Sequence, residues 1–252
     1  MKIVVIGGTG LVGSKLVEKL TENGQDALAA SPDTGVNSIT GEGLAEALEG
    51  AQVLVDVSNA SGSDDVVTSF FETSSRNLLA AETGAGVTHH VVLSIVGADR
   101  LQESGYLRAK VAQEETVKAG SVPYTILRAS QFFEFIGQIV DSHTDGGTVR
   151  LAPVFFQPEA ADDVATALAD IAVSEPVNDI VELGGPEQFR LDELAERVLS
   201  AKNEPRRVTA DMHARYFGAQ LDHYSLTPED NPRLAPTRFE DWLTQSRPPS
   251  TP

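Results

Sequence analysis

Apolar and polar positions change period along this chain in a repeating way. Lys2 to Ile6 is a continuous apolar run after its lysine, as expected of a strand buried on both faces. Leu11 to Asn23 carries Leu11, Val12, Leu16, Val17 and Leu20 on one helical stripe, and Gly24 stops it. Asp26 to Ala30 reads as a second strand, weakened by its alanines, and Val36 to Thr40 as a short third. Gly43 to Glu49 is a helix, Ala51 to Val57 a buried strand and Ser63 to Thr83 a long helix. His90 to Val96 is a strand, Glu103 to Ala119 a helix and Tyr124 to Arg128 a strand. This alternation of buried strands with amphipathic helices predicts an α/β chain with a Rossmann-type, doubly wound parallel sheet.

After Ala129 the pattern loosens. Gln131 to Val140 predicts an aromatic-rich helix, and Thr148 to Leu151 and Val154 to Gln157 short strands around Pro153. Ala161 to Val173 predicts a helix capped by Asp162 and Asp163. Asp179 to Leu183 is a further strand and Leu191 to Ala201 a helix. From Pro205 on the chain reads as irregular, with one short helix over His213 to Ala219 and a tail, Arg247 to Pro252, that should fray. No stretch looks like a linker. The expectation is one dinucleotide-binding domain over 1–252, with a small C-terminal substrate-binding lobe built mainly from 131–160 and 184–252.

The segment Gly7-Gly8-Thr9-Gly10-Leu11-Val12-Gly13 sits between the first strand and the first helix. Gly7, Gly10 and Gly13 supply the tight turn, the close backbone approach to a pyrophosphate and the close packing of helix on strand. The amides of Thr9, Gly10, Leu11, Val12 and Gly13 would face that anion at a helix N-terminus. No Lys-Ser/Thr pair follows at the spacing of a Walker loop. The second strand ends at Ser31, where a carboxylate would select NAD; Ser31 is neutral, which favours NADP(H), although Asp33 two residues on and the lack of a nearby arginine leave NAD(H) open.

Tyr106 and Lys110 are four apart on one face of a predicted helix, and Ser94 closes the strand before it. An ammonium beside a phenol favours the phenolate and makes it a better acid-base group, and a strand-end serine can polarise a carbonyl. Asn59, after the strand ending in Val57, reads equally as a cofactor contact or as a plain turn. Phe132, Phe133, Phe155 and Phe156 read as core packing between lobe and main domain or as an apolar substrate pocket, with Gln131 and Gln157 placed to orient a polar group.

The glycine loop, Ser94, Tyr106 with Lys110, and the run Ser121-Val122-Pro123-Tyr124-Thr125-Ile126-Leu127-Arg128 together resemble the short-chain dehydrogenase/reductase superfamily, in its atypical NmrA-like and isoflavone-reductase-like branch. Pro158 to Leu168 is similar to that family's strand-to-helix step. The resemblance implies a NAD(P)(H) cofactor, with Tyr106 as acid-base residue, Ser94 as its partner and Lys110 on the nicotinamide ribose. With the glycine loop and the Ser94, Tyr106 and Lys110 set, the expectation is an oxidoreductase acting on a small apolar, aromatic or quinone-like carbonyl. A non-catalytic dinucleotide sensor and a cofactor-assisted isomerase or epimerase are the alternatives.

Composition narrows the classes further. The 252 residues hold 19 Lys+Arg against 37 Asp+Glu, a net charge of -18, and no cysteine. That excludes thiolate chemistry and disulfides and argues against nucleic acid or acidic membranes as partners. The five histidines show no metal-ligand spacing, so no metal is expected. The N-terminus does not read as a signal peptide, and the expectation is a cytoplasmic protein with a small-molecule substrate and a homodimer as its assembly.

Overall fold

The computed structural model describes residues 1–229 and 231–245, so the Arg247 to Pro252 tail lies outside the described residues. The first half alternates as β1 (Lys2–Ile6), α1 (Leu11–Glu22), β2 (Asp26–Ala30), α2 (Leu44–Leu48), β3 (Val53–Asp56), α3 (Asp64–Ala85), β4 (His89–Ile95), α4 (Gly105–Lys118) and β5 (Tyr124–Ala129). The second half contains α5 (Ile136–Ser142), β6 (Thr144–Asp145), β7 (Thr148–Leu151), β8 (Phe155–Phe156), α6 (Ala161–Ala172), β9 (Asp179–Gly184), β10 (Phe189–Arg190), α7 (Leu191–Ala201), β11 (Arg207–Ala210), β12 (Arg233–Leu234) and α8 (Phe239–Gln245).

The central sheet has seven parallel strands in the order β12-β9-β5-β4-β3-β1-β2, the Rossmann-type arrangement. Both faces of β1 are buried, which is why its sequence is apolar without alternation. Ile3 and Val5 pack with Leu16 and Leu20 of α1 and with Val164 and Leu168 of α6. Val4 and Ile6 pack on the other face with Leu44 and Leu48 of α2 and Leu78 of α3. The last part of the chain gathers a separate apolar cluster that includes Phe133, Phe156, Leu194 and Phe239. Around it, β11-β7-β6 and β10-β8 form two small sheets.

Several sequence expectations are corrected here. Val36 to Thr40 is not a strand: Asn37 Oδ1 accepts the Ile39 N–H at 2.9 Å and turns the chain on itself. Gln131 to Val140 is not one helix but a bend, a 3₁₀ turn over Phe133–Phe135 and then α5. His213 to Ala219 forms turns, because Phe217 and Gly218 adopt φ of +47 and +88. Asp162 and Asp163 stand in the first turn of α6, yet neither caps it. Asp162 pairs with Lys15 and Lys19 of α1, Asp163 accepts from Thr237, and the Ala161 N–H is met by the Glu134 carboxylate. The strands β11 and β12 and the helix α8 were not expected.

His89 opens β4 inside the protein, with Nε2 2.9 Å from Thr125 Oγ1. Burial, reinforced by the neighbouring His90, pushes its pKa down from 6.5 to about 4. The folded chain therefore keeps His89 neutral where the unfolded chain takes up a proton. Stability is complete above pH 6.5 and is lost as pH falls through 4, a loss of at most about 3 kcal/mol from this group. Urea unfolding at descending pH should show a steeper decline in the wild type than in His89→Gln; equal slopes would remove His89 as the cause.

Candidate functional site

The site forms where the chain changes direction across the sheet. β1 lies between β2 and β3, so the loops leaving β1 and β3 diverge and open a crevice at their carboxyl ends. Gly7 enters the first loop with φ +78, and a Cβ there would stand 3.0 Å from the Ser58 backbone. A Cβ on Gly8 would lie 2.7 Å from Val5 O and from Ala29 Cα. On Gly13 it would lie 2.1 Å from Gly7 O, so α1 can approach the β1 turn only because that position is bare. Gly8 was not singled out in the sequence, since its constraint comes from β2 across the sheet.

Gly10 is the N-cap of α1, with no side-chain cap and no acid in the first turn. The amides at the start of that helix therefore have no intrahelical acceptor and carry the positive end of its dipole. The hydroxyls of Ser31, after β2, and Ser58, after β3, are buried and have no hydrogen-bond partner among the described residues. Bare amides, a glycine cradle and two idle hydroxyls fit the phosphates and riboses of a dinucleotide. Asp33 is exposed in the 3₁₀ turn Pro32–Thr34, and the chain holds no Lys or Arg between Lys19 and Arg76.

Tyr106, in the first turn of α4, is half-buried and donates its phenolic hydrogen to Asn59 Oδ1 at 2.8 Å. The structure thus brings together Tyr106 and Asn59, next in sequence to the Ser58 that packs on Gly7. Burial pushes the Tyr106 phenol up to about 12. The expectation that Lys110 would favour the phenolate is corrected: desolvation dominates, and Tyr106 is a protonated phenol at neutral pH. Lys110 points into the protein, donating to Leu93 O at 2.8 Å and to Gln113 Oε1, with Nζ 4.5 Å from the centre of the Phe71 ring. Burial lowers its pKa to about 8, against the pull of Asp56 and Glu114. Gln113 Nε2 donates onward to Asp56 Oδ2 at 2.8 Å, and Asp56 Oδ1 accepts the Ser58 N–H at 2.9 Å. A continuous line of hydrogen bonds therefore joins Lys110 to the loop after β3.

Ser94 does not stand free at the strand end. It is 2% exposed, and its hydroxyl donates to Glu114 Oε1 at 2.5 Å, one turn of α4 below Lys110. Glu114 also binds Arg128 of β5 through two bonds, Nε to Oε1 at 3.0 Å and Nη2 to Oε2 at 2.7 Å, while Arg128 Nη1 reaches Asp99 at 2.8 Å. Ser94 is thus a member of a buried ion-pair network, which corrects its expected place beside Tyr106. Asp56, Gln113 and Glu114 were missed in the sequence. The signal available was that 106, 110, 113 and 114 share one helical face.

The phenylalanines are dispersed. Phe133 packs against Phe239 and Trp242, and Phe156 is fully buried in the lobe core; both are corrected to packing residues. Phe132 stacks on Phe135 and belongs to the cluster beneath the sheet, while Phe155 stacks on Tyr224. Gln131 accepts from Ser130, and Gln157 bonds to Gly185 O and Gln188.

Comparison with known proteins agrees with this geometry. The family described as NAD(P)H-binding matches residues 7–175. The photosystem II assembly factor Ycf39 of Cyanophora paradoxa is 25% identical over 226 residues, which cover 81% of this chain and 70% of that protein. Among solved structures, a dTDP-4-dehydrorhamnose reductase of Clostridium acetobutylicum superposes with a TM-score of 0.71 at 15% identity, covering 93% of this chain and 95% of that one. An NADPH-dependent quinone oxidoreductase of Escherichia coli gives 0.69 at 17% identity, covering 96% and 98%. At such identities these structures speak for the fold alone. With a cradle suited to a dinucleotide and a family match over most of its length, the chain belongs to the NAD(P)H-binding family.

Proposed function

We propose that the protein is an NADP(H)-dependent reductase of a small apolar carbonyl compound, aromatic or quinone-like, with Tyr106 as the proton donor. The observation that carries this reading is the Tyr106–Asn59 pair: a protonated phenol held at the mouth of the crevice that Gly7 and Ser58 line. A bound reduced nicotinamide would supply a hydride to the carbonyl carbon. As that bond forms, the carbonyl electron pair moves to oxygen, and Tyr106 delivers its proton there; the phenolate then regains a proton from solvent. A phenol whose pKa is raised to about 12 stays loaded at neutral pH, which suits reduction better than oxidation. Lys110 acts as a positioning residue, fixing Gln113 and through it the loop that carries Asn59. Gly7, Thr9, Gly10, Leu11, Val12 and Gly13 would hold the pyrophosphate, and Ser31 and Ser58 the riboses.

The choice of NADP(H) rests on Ser31, which offers an idle hydroxyl where a carboxylate would repel a 2′-phosphate. The substrate class follows from the apolar and aromatic side chains near Tyr106, namely Phe71, Tyr216 and Phe217. A second reading, a non-catalytic dinucleotide-binding regulator or assembly protein, draws on the commitment of the Lys110 ammonium to internal acceptors and on the likeness to an assembly factor.

Steady-state turnover of NADPH and NADH over a panel of quinones and aldehydes separates the two. Oxidation of the cofactor by at least one quinone, with NADPH preferred, is the expected result. Tight binding of both cofactor forms with no turnover across the panel would favour the regulator.

A further inference from the structure

Phe217 meets the Tyr216 ring edge-to-face at 4.7 Å, yet most of its own ring stays outside the packed interior. It is 58% exposed, the ring of a large apolar side chain standing in solvent, and its φ of +47 lies in the left-handed region that bulky residues avoid. It forms the first corner of a two-residue hairpin turn with Gly218, closed by reciprocal bonds between Tyr216 and Ala219, each 2.9 Å. Turns of this shape favour asparagine or aspartate followed by glycine. The sequence has the glycine, but a phenylalanine stands where asparagine would be easier.

The hairpin is fastened over the Tyr106 site on both sides. Arg215 Nη1 binds Glu103 Oε2 at 2.6 Å and Gly218 O at 2.8 Å, and Glu103 Oε2 also accepts the Gln220 N–H at 3.3 Å. Glu103 directly precedes Ser104, the cap of the helix that carries Tyr106. The Tyr216 phenol is buried against the Gln131 side chain at the end of β5. Between these anchors the Phe217 ring lies 6.2 Å from the Tyr106 ring, tilted by 33°. An exposed aromatic face, held in an unfavourable backbone conformation beside a proton donor, is the kind of local exception that functional sites carry.

We infer that Phe217 is a specificity-determining residue whose exposed face binds the flat ring of a quinone or aromatic ketone and so presents a ring carbonyl to Tyr106. The 6.2 Å separation leaves no room for a ring between Phe217 and Tyr106, so the ligand packs on the exposed part of Phe217 with its carbonyl edge against the phenol. This inference rests on the reading of Tyr106 as the working end of the site.

The test measures the affinity of menadione for the NADP-saturated protein by calorimetry, in the wild type, Phe217→Asn and Phe217→Tyr. Asparagine keeps the turn and removes the ring; tyrosine keeps the ring. Affinity should fall about tenfold in Phe217→Asn and be retained in Phe217→Tyr, with NADP affinity unchanged in both. In turnover, the KM for menadione should rise in Phe217→Asn and stay near the wild-type value in Phe217→Tyr. Unchanged menadione affinity in Phe217→Asn, or no binding to the wild type, overturns the inference. Menadione that binds through Phe217 without being reduced leaves the inference standing and defeats the reductase reading instead.

Discussion

Replacing Glu114 by leucine is expected to lower the free energy of unfolding by about 3–5 kcal/mol, the usual cost of stranding one half of a buried ion pair. The Glu114 side chain is fully buried and that of Arg128 is 7% exposed. Without Glu114 the guanidinium keeps its ion pair with Asp99, which is partly open to solvent, and Ser94 loses its acceptor. The Coulomb attraction of such a pair is offset by the desolvation of two charges. Removing both partners should therefore cost less than removing either. Urea unfolding of Glu114→Leu, Arg128→Leu and the double variant gives the coupling directly. The expected double variant is more stable than Glu114→Leu; three values that simply add would show that the pair does not act as a unit.

Gly13→Ala should have the next largest effect, and on a different property. Its Cβ would meet Gly7 O at 2.1 Å, so α1 must move away from the β1 turn or the turn must open. Alanine is the better helix former by roughly 1 kcal/mol, while overpacking of this kind costs about 1–3 kcal/mol or more. A modest net loss of stability is expected. The loss of dinucleotide affinity should be greater, about tenfold or more, because the amides of Leu11 to Gly13 are displaced from the anion they would face. Equilibrium binding of NADPH to Gly13→Ala checks this; unaltered affinity would show that the phosphates do not sit on the α1 N-terminus. Gly10→Ala is the milder control, since its Cβ would meet Gly7 O at 3.3 Å.

The part of the fold built from local period was legible in the chain. Strands such as Ile3–Ile6 and Val53–Val55 are apolar throughout because helices cover both faces, and the glycine loop between β1 and α1 declares itself through spacing. Tyr106 and Lys110 were readable for the same reason, as a shared helical face. Their electrostatics were not, since desolvation depends on Phe71 and on the packing of α3 against α4, which no spacing shows. The Glu114–Arg128 pair was also within reach of that helical face, but its strand partner becomes evident only from the alignment of β4 with β5, which sets Ser94 beside Arg128. The second half was harder because its strands are short and pair across distance: β7 runs parallel to β11, about sixty positions later. The segment Asp211 to Ala219 has helix-compatible residues, yet Phe217 and Gly218 take left-handed angles that no apolar period forecasts. The helix α8 did leave a trace, in Phe239, Trp242 and Leu243 at i, i+3 and i+4.

The claim on which the functional reading depends is that Tyr106 gives its proton to a substrate oxygen as hydride leaves a bound nicotinamide. Its most direct test is a single-turnover experiment in which NADPH-loaded wild type and NADPH-loaded Tyr106→Phe are each mixed with menadione and the loss of reduced nicotinamide is followed. Tyr106→Phe removes one hydroxyl and the bond to Asn59, leaving the glycine loop intact. Rapid oxidation in the wild type, slowed by about 10²–10⁴-fold in Tyr106→Phe with NADPH affinity preserved, is the expected result. Equal rates in the two proteins, or bound NADPH that survives in both, would contradict the account.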